Sequence, residues 1–123
     1  MKSLECRRLI GKLLEEWLLL MGLSDWQVVV EFGKLDSDGN EPNTATHGEV
    51  LHISHNYKRA EIQFDPTAMA RDLTRAEIEE SVVHELTHLQ LASLTDLRRT
   101  QRRIENTTTD ISRTYMRLKR VFK

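Results

Sequence analysis

Three residues that could carry out chemistry stand together in the sequence: His84, Glu85 and His88, in a His-Glu-x-x-His arrangement. Two histidines four residues apart on a helix project from one face, about one turn apart. Both imidazoles can therefore reach one tetrahedral zinc ion. The glutamate lies about 100° further round the helix, where it can take a proton from a zinc-bound water. A metal, a water and a base are the minimum for metal-assisted hydrolysis.

The residues around this motif predict a buried helix with a defined start. Thr74 and Glu77 stand three residues apart, as in a capping box, so the helix should begin after Leu73. Apolar residues then recur at helical spacing, at Ile78, Val82, Leu86 and Leu89. This setting favours a metal site over two ordinary histidines on a core helix.

The motif supplies two metal ligands, and a catalytic zinc site usually has three. No histidine follows His88 in the chain, so a third histidine downstream is excluded. If the motif helix turns back near Thr95, the residue level with the middle of the motif on the returning helix is Glu105. We therefore expect Glu105 to be the third ligand, in preference to a solvated glutamate in an arginine-rich helix.

A metal-bound histidine usually donates its other ring N–H to a carboxylate or a carbonyl group. Asp110 is a candidate for this supporting role, and a solvated Asp110 is the alternative. Thr109 and Ser112 lie closer to the helix face that carries Glu105.

The rest of the chain predicts an N-terminal helix and a small, mostly antiparallel sheet of three strands. A helical apolar pattern covers residues 3–21, and Gly22 follows where a helix commonly ends. Segments 26–32, 47–54 and 57–65 are β-branched or alternate in polarity, which is typical of strands. The polar stretch 35–46 predicts a loop, and Pro66 should end the sheet.

A long C-terminal helix is expected to carry Glu105. It should cover residues 96–122 and pack through one apolar stripe made of Leu97, Ile104, Ile111 and Leu118. Together with the motif helix, these elements make an α+β domain. At 123 residues and 39% hydrophobic content, the chain fits one domain over residues 1–123.

Composition argues against several classes of partner. The formal net charge is −1, so bulk electrostatics favour neither nucleic acid nor a membrane. The arginine-rich segment 98–103 is interpreted as a solvated helix face, because no aromatic residues interleave with it. The chain has one cysteine, Cys6, and no signal-peptide pattern, which predicts a cytoplasmic protein.

The motif followed by Glu105 on a later helix resembles the gluzincins, a class of zinc metallopeptidases, and most of all the minimal gluzincins found as small microbial or phage proteins. The resemblance implies a zincin-like fold, a Zn²⁺ ion held by His84, His88 and Glu105, and Glu85 as the catalytic base. In that family an aspartate commonly stands four residues after the ligand glutamate. Here Thr109 holds that place and Asp110 comes one residue later.

The same resemblance implies a substrate mode. A peptide or protein substrate would pair in extended form with the edge strand ahead of the motif helix, which is expected at residues 57–65. A further donor should stabilise the oxyanion, and Tyr115, Tyr57 and His55 are the candidates.

Other interpretations stay open at this stage, among them a zinc protease that acts on DNA-bound or regulatory proteins. The enzyme could be latent, through the tail 117–123 or through formation of a homo-oligomer. Alternatively, the zinc could be structural, closed by a fourth ligand from His47, His52 or His55. The chain would then be a non-catalytic domain that binds a protein or nucleic acid through its arginine-rich helix.

Overall fold

The structure is a computed structural model that describes residues 1–35, 47–54, 56–92 and 101–121. Within these ranges, the side chains of residues 92, 101–107 and 121 are not described. Four helices and three strands follow in the order α1 (Ser3–Leu20), β1 (Gln27–Phe32), β2 (Gly48–Ser54), β3 (Arg59–Phe64), α2 (Pro66–Asp72), α3 (Arg75–Ala92) and α4 (Gln101–Val121). The expected α+β class is confirmed.

The first helix forms where the apolar periodicity predicts it. Its inward face buries Cys6, Ile10, Leu13, Leu14 and Trp17. Gly22 adopts a φ of 70° just after the helix, a conformation that glycine reaches without steric cost. The N–H of Leu23 then bonds back to the carbonyl of Leu18 at 2.7 Å, which closes the helix end.

The sheet is mixed rather than mostly antiparallel. Its strand order is β1-β3-β2, so β3 is the central strand. β1 pairs with β3 in parallel, from Gln27 opposite Arg59 to Phe32 opposite Phe64. β2 pairs with β3 antiparallel, with a register shift between Val50 and His52. The expectation that residues 57–65 form an edge strand is therefore wrong, because both edges of β3 are already paired.

A short helix, α2, lies between the sheet and the motif helix, where the sequence predicted only the end of the sheet at Pro66. Asp65 is its N-cap and accepts a hydrogen bond from the N–H of Ala68 at 3.1 Å. Pro66 occupies the first turn, where its missing N–H costs nothing. α3 then begins with the predicted capping box, since Thr74 and Glu77 exchange hydrogen bonds of 3.0 and 3.2 Å.

α3 and α4 pack side by side and run antiparallel. As the position on α3 rises from Glu79 through Glu80 to His84, the partner on α4 falls, and those partners are Lys119, Arg113 and Thr109. The sequence predicted that the chain turns back near Thr95. That residue belongs to segment 93–100, which is outside the described part of the chain.

The buried face of α4 differs from the predicted stripe. Thr108, Ser112 and Met116 are buried, whereas Leu118 is 49% exposed. Ile104 belongs to the side chains outside the description, as do Leu97 and Phe122. Small hydroxyl side chains let the helices approach closely: Ser112 Oγ lies 3.3 Å from Thr87 Oγ1 of α3. Hydrophobic periodicity alone does not identify such a face.

Lys119 fastens the C-terminal part of α4 to the other helices. Its Nζ contacts Glu79 of α3 and lies 2.9 Å from Glu16 Oε1 of α1. The indole of Trp17 donates to Glu79 Oε2 at 2.7 Å, and its ring lies 5.1 Å from Lys119 Nζ. Burial acts to lower the pKa of Lys119, but the hydrogen bonds to Glu79 and Glu16 prevail and raise it above the ordinary value.

In the part of the chain that the structure describes, no helix is long and apolar enough to cross a membrane.

Candidate metal centre

The structure brings the motif residues together on α3. One nitrogen each of His84 and His88 and one carboxylate oxygen of Glu85 all lie within 4.8 Å of one another. The two imidazole rings meet edge to face, with centroids 5.0 Å apart. Both histidines are half-buried, while Glu85 is 4% exposed. Imidazole nitrogens in this arrangement suit zinc, which takes nitrogen, sulfur and carboxylate ligands.

The rest of α3 anchors this cluster to the core. Its apolar residues around the cluster are buried completely or almost so, at Ile78, Val82, Val83, Leu86 and Leu89. Thr87 is also fully buried, and its hydroxyl donates to the carbonyl of Val83 at 2.7 Å within the helix. With one side of α3 held in the core, the motif side chains are fixed in direction.

An edge strand begins directly beside Glu85. A Cβ atom added to Gly48, the first residue of β2, would lie 3.3 Å from Cγ of Glu85 and 2.8 Å from two ring atoms of Phe64. Only a glycine therefore allows β2 to approach this closely. β2 is at the margin of the sheet, so its outer edge is unpaired within the described sheet. The sequence signal was a glycine at the start of a predicted strand, which often marks a close backbone approach.

Thr109, not Asp110, lies against a histidine of the cluster. The Thr109 hydroxyl is 3.5 Å from Nδ1 of His84. Asp110 is exposed, because one residue along a helix turns the side chain by about 100° away from α3. Of the two interpretations of Asp110, the exposed position agrees with the solvated one, and Thr109 makes the contact with His84. The available signal was the position of Thr109, four residues after Glu105.

Glu105 lies on α4, one helical turn before Thr109. Its side chain is outside the described part of the structure, so its expected role as a ligand remains a prediction.

The other histidines do not join the cluster within the described residues. His47 instead lies 3.3 Å from Asp72 through its Nε2. Hydrogen bonds from Arg71 and His47 lower the pKa of Asp72 to about 2. His52 is exposed on β2, and His55 lies outside the description. Among the described residues, His47 and His52 thus lie outside the cluster that a fourth ligand would have to join.

The candidates for an oxyanion donor also lie elsewhere or outside the description. The hydroxyl of Tyr115 donates to Gln90 Oε1 at 2.9 Å, and its ring packs edge to face on Trp17. Tyr57 is 84% exposed in the turn before β3. His55 falls among the residues that are not described.

The structure describes part of the tail 117–123, but it does not describe the arginine side chains of segment 98–103. Arg117 and Arg120 line a groove with Ala76, Glu77 and Glu80 at the start of α3, at least one helical turn before His84. The described part of the tail thus lies along the start of α3, where Lys119 contacts Glu79, and not beside the motif. Arg98 and Arg99 lie outside the description, as do the side chains of Arg102 and Arg103.

Comparisons of this chain with protein families, with curated protein sequences and with solved structures give no match.

Proposed function

We propose that this chain is a zinc-dependent metallopeptidase that hydrolyses peptide bonds with Glu85 as the base. The observation that carries the proposal is the convergence of His84, Glu85 and His88 within 4.8 Å on one face of a buried helix. A carboxylate that is 4% exposed beside two half-buried imidazoles fits a base next to a metal better than it fits a surface charge.

The register of α3 and α4 supports Glu105 as the third ligand. His84 meets Thr109, and Glu80, one turn earlier, meets Arg113, one turn later. One more turn in the other direction places position 105 level with His88. A glutamate there has the reach and the charge to complete a site of two histidines and one carboxylate.

Zinc and Glu85 would have distinct tasks in hydrolysis. When bound, zinc polarises the scissile carbonyl and lowers the pKa of the attacking water. Glu85 accepts the proton of that water as its oxygen bonds to the carbonyl carbon, and passes the proton to the leaving amine as the C–N bond breaks. Because Glu85 is almost fully buried, few bulk waters compete for its carboxylate.

The outer edge of β2 is the proposed place for the substrate, in place of the strand expected from the sequence. An extended peptide that pairs with β2 would gain main-chain hydrogen bonds. Gly48 would bring that peptide past Glu85, because the two residues are in close contact. The proposed substrate class is therefore an unfolded or extended segment of protein.

Metal content tests the site first. Protein equilibrated with zinc and then dialysed should retain one equivalent by elemental analysis, and His84→Ala and His88→Ala should lose it. His52→Ala is the matched control, since His52 is exposed and outside the cluster. Wild-type protein without zinc would contradict the proposal.

The third ligand is tested by comparing two acidic residues of α4. Glu105→Ala should bind zinc more weakly, whereas Asp110→Ala, with an exposed side chain on another face, should not. Equal affinities for the two variants would remove Glu105 from the ligand set.

Cleavage of a mixture of unstructured peptides, followed by mass spectrometry, tests the base. Glu85→Gln should keep its zinc and lose about 10²–10⁴ in turnover, the usual contribution of a general base. Glu31→Gln, an exposed glutamate on β1, is the control. Cleavage by zinc-loaded Glu85→Gln at the wild-type rate would refute this role, and absence of cleavage by the zinc-loaded wild-type protein would refute the peptidase itself.

A further inference from the structure

A hydroxyl group occupies the position next to a proposed metal ligand where a carboxylate is the more common partner. Thr109 Oγ1 lies 3.5 Å from Nδ1 of His84, and Thr109 is half-buried. Two further contacts, both C-terminal to Thr109 on α4, hold this helix against α3: Ser112 Oγ lies 3.3 Å from Thr87 Oγ1, and Arg113 Nε lies 3.4 Å from Glu80 Oε1. The contact is thus part of a packed helix interface.

We infer that Thr109 is a positioning residue that holds His84 in the tautomer with its proton on Nδ1 and its lone pair on Nε2. A neutral imidazole has one N–H and one free nitrogen. If the Thr109 oxygen accepts the Nδ1 proton, Nε2 is the nitrogen that remains for the metal. This inference rests on the proposed zinc site. It adds a role for Thr109 and names Nε2 as the atom of His84 that binds the metal.

The chemistry of the hydroxyl has a consequence for metal affinity. A carboxylate partner draws the N–H proton toward itself and makes the other ring nitrogen a stronger donor to the metal. A hydroxyl is neutral and does this less. The order of zinc affinity should therefore be Thr109→Asp tightest, wild type and Thr109→Ser together, and Thr109→Val weakest.

Zinc affinity, measured by competition with a chromogenic chelator, is the first test. Thr109→Val keeps the shape of the side chain but removes the acceptor, and it should bind zinc about 10–100-fold more weakly, the usual effect of losing such a partner. Thr109→Ser should restore wild-type affinity. Thr114→Val is the matched control, because that exposed hydroxyl on the same helix donates to the carbonyl of Asp110 within α4, at 3.0 Å.

The ring nitrogens of His84, observed by ¹⁵N NMR of the zinc-loaded protein, give a second readout that general destabilisation would not move. Wild type and Thr109→Ser should show a protonated Nδ1 and a metal-bound Nε2. A metal-bound Nδ1 in wild-type protein would overturn the inference.

The outcomes separate this inference from the proposed function. Wild-type protein that binds no zinc would defeat both. Wild-type protein that binds zinc as tightly as Thr109→Val would defeat the role of Thr109 alone. If Thr109→Val does not fold, Thr109→Asp decides, because affinity no tighter than wild type would overturn the predicted order.

Discussion

Gly48→Ala should destabilise the protein through the contact between β2 and the motif helix. The new Cβ would lie 2.8 Å from Cδ1 and Cε1 of Phe64, which is completely buried. Ordinary carbon–carbon contacts begin near 3.5 Å, so the ring or the strand must move by several tenths of an ångström. A ring in a packed core has little room to do so.

Overpacking of this kind costs about 1–3 kcal/mol of the free energy of unfolding. With a urea m-value of about 2 kcal/mol/M, a loss of about 2 kcal/mol lowers the unfolding midpoint by about 1 M. Gly11→Ala is the control, because a Cβ at Gly11 in α1 meets nothing within 4 Å. That variant should gain about 0.5–1 kcal/mol, since alanine is the better helix former.

Urea unfolding of both variants, followed by circular dichroism, checks the reasoning. If Gly48→Ala were as stable as wild type, the close approach of β2 to Phe64 would be refuted. On the proposed function, zinc-loaded Gly48→Ala should also lose turnover while it keeps its metal, because the same Cβ would lie 3.3 Å from Cγ of Glu85 and displace the proposed base.

Three further substitutions probe the packing around the site. Lys119→Met should cost about 1–3 kcal/mol in chemical unfolding because it leaves Glu79 and Glu16 without their shared cation. Lys58→Met breaks an ion pair that is 55% exposed on both sides, so it should cost clearly less than Lys119→Met, and equal losses would contradict this ranking. Thr74→Ala should lose about 1 kcal/mol with the capping box of α3, whereas Thr114→Ala at an exposed helix position should lose almost none. Because the folded-state pKa of Asp72 is lowered to about 2 from 3.8, its contribution to stability is present above pH 3.8 and is lost as the pH falls toward 2. Asp72→Asn should therefore show a smaller fall in unfolding free energy between pH 4 and pH 2 than wild type, and identical falls would argue against the interaction.

Local signals in the sequence predicted the elements well, because each depends on neighbouring residues. The capping box of Thr74 and Glu77 and the helix end at Gly22 involve atoms only a few residues apart. The motif spacing likewise fixed the cluster of three side chains in advance, since one helix carries them all. The N-cap of α2 at Asp65 was readable in the same way, but Pro66 was interpreted only as the end of the sheet.

Features that depend on two distant elements were not predictable from these patterns. The alternation in β3 shows which side chains face the core, but it does not say which strands lie on either side. The choice between Thr109 and Asp110 depends on how α4 is rotated about its axis relative to α3. A rotation of about 100°, the step from one residue to the next, decides which side chain faces His84. The described part of the face that α4 buries includes the small polar residues Thr108 and Ser112, which a search for apolar periodicity does not detect.

The strand order has a consequence for how the chain folds. In the β2–β3 hairpin, Ser54 pairs with Arg59 across a short connection, so these strands can meet early. The parallel pair joins Gln27 to Arg59, which requires a much longer loop to close before any contact forms. We therefore expect β1 to dock last, onto a hairpin that already exists. The strand beside Glu85 would then belong to the earliest part of the sheet, and mutations in β2 should slow folding more than equally destabilising mutations in β1.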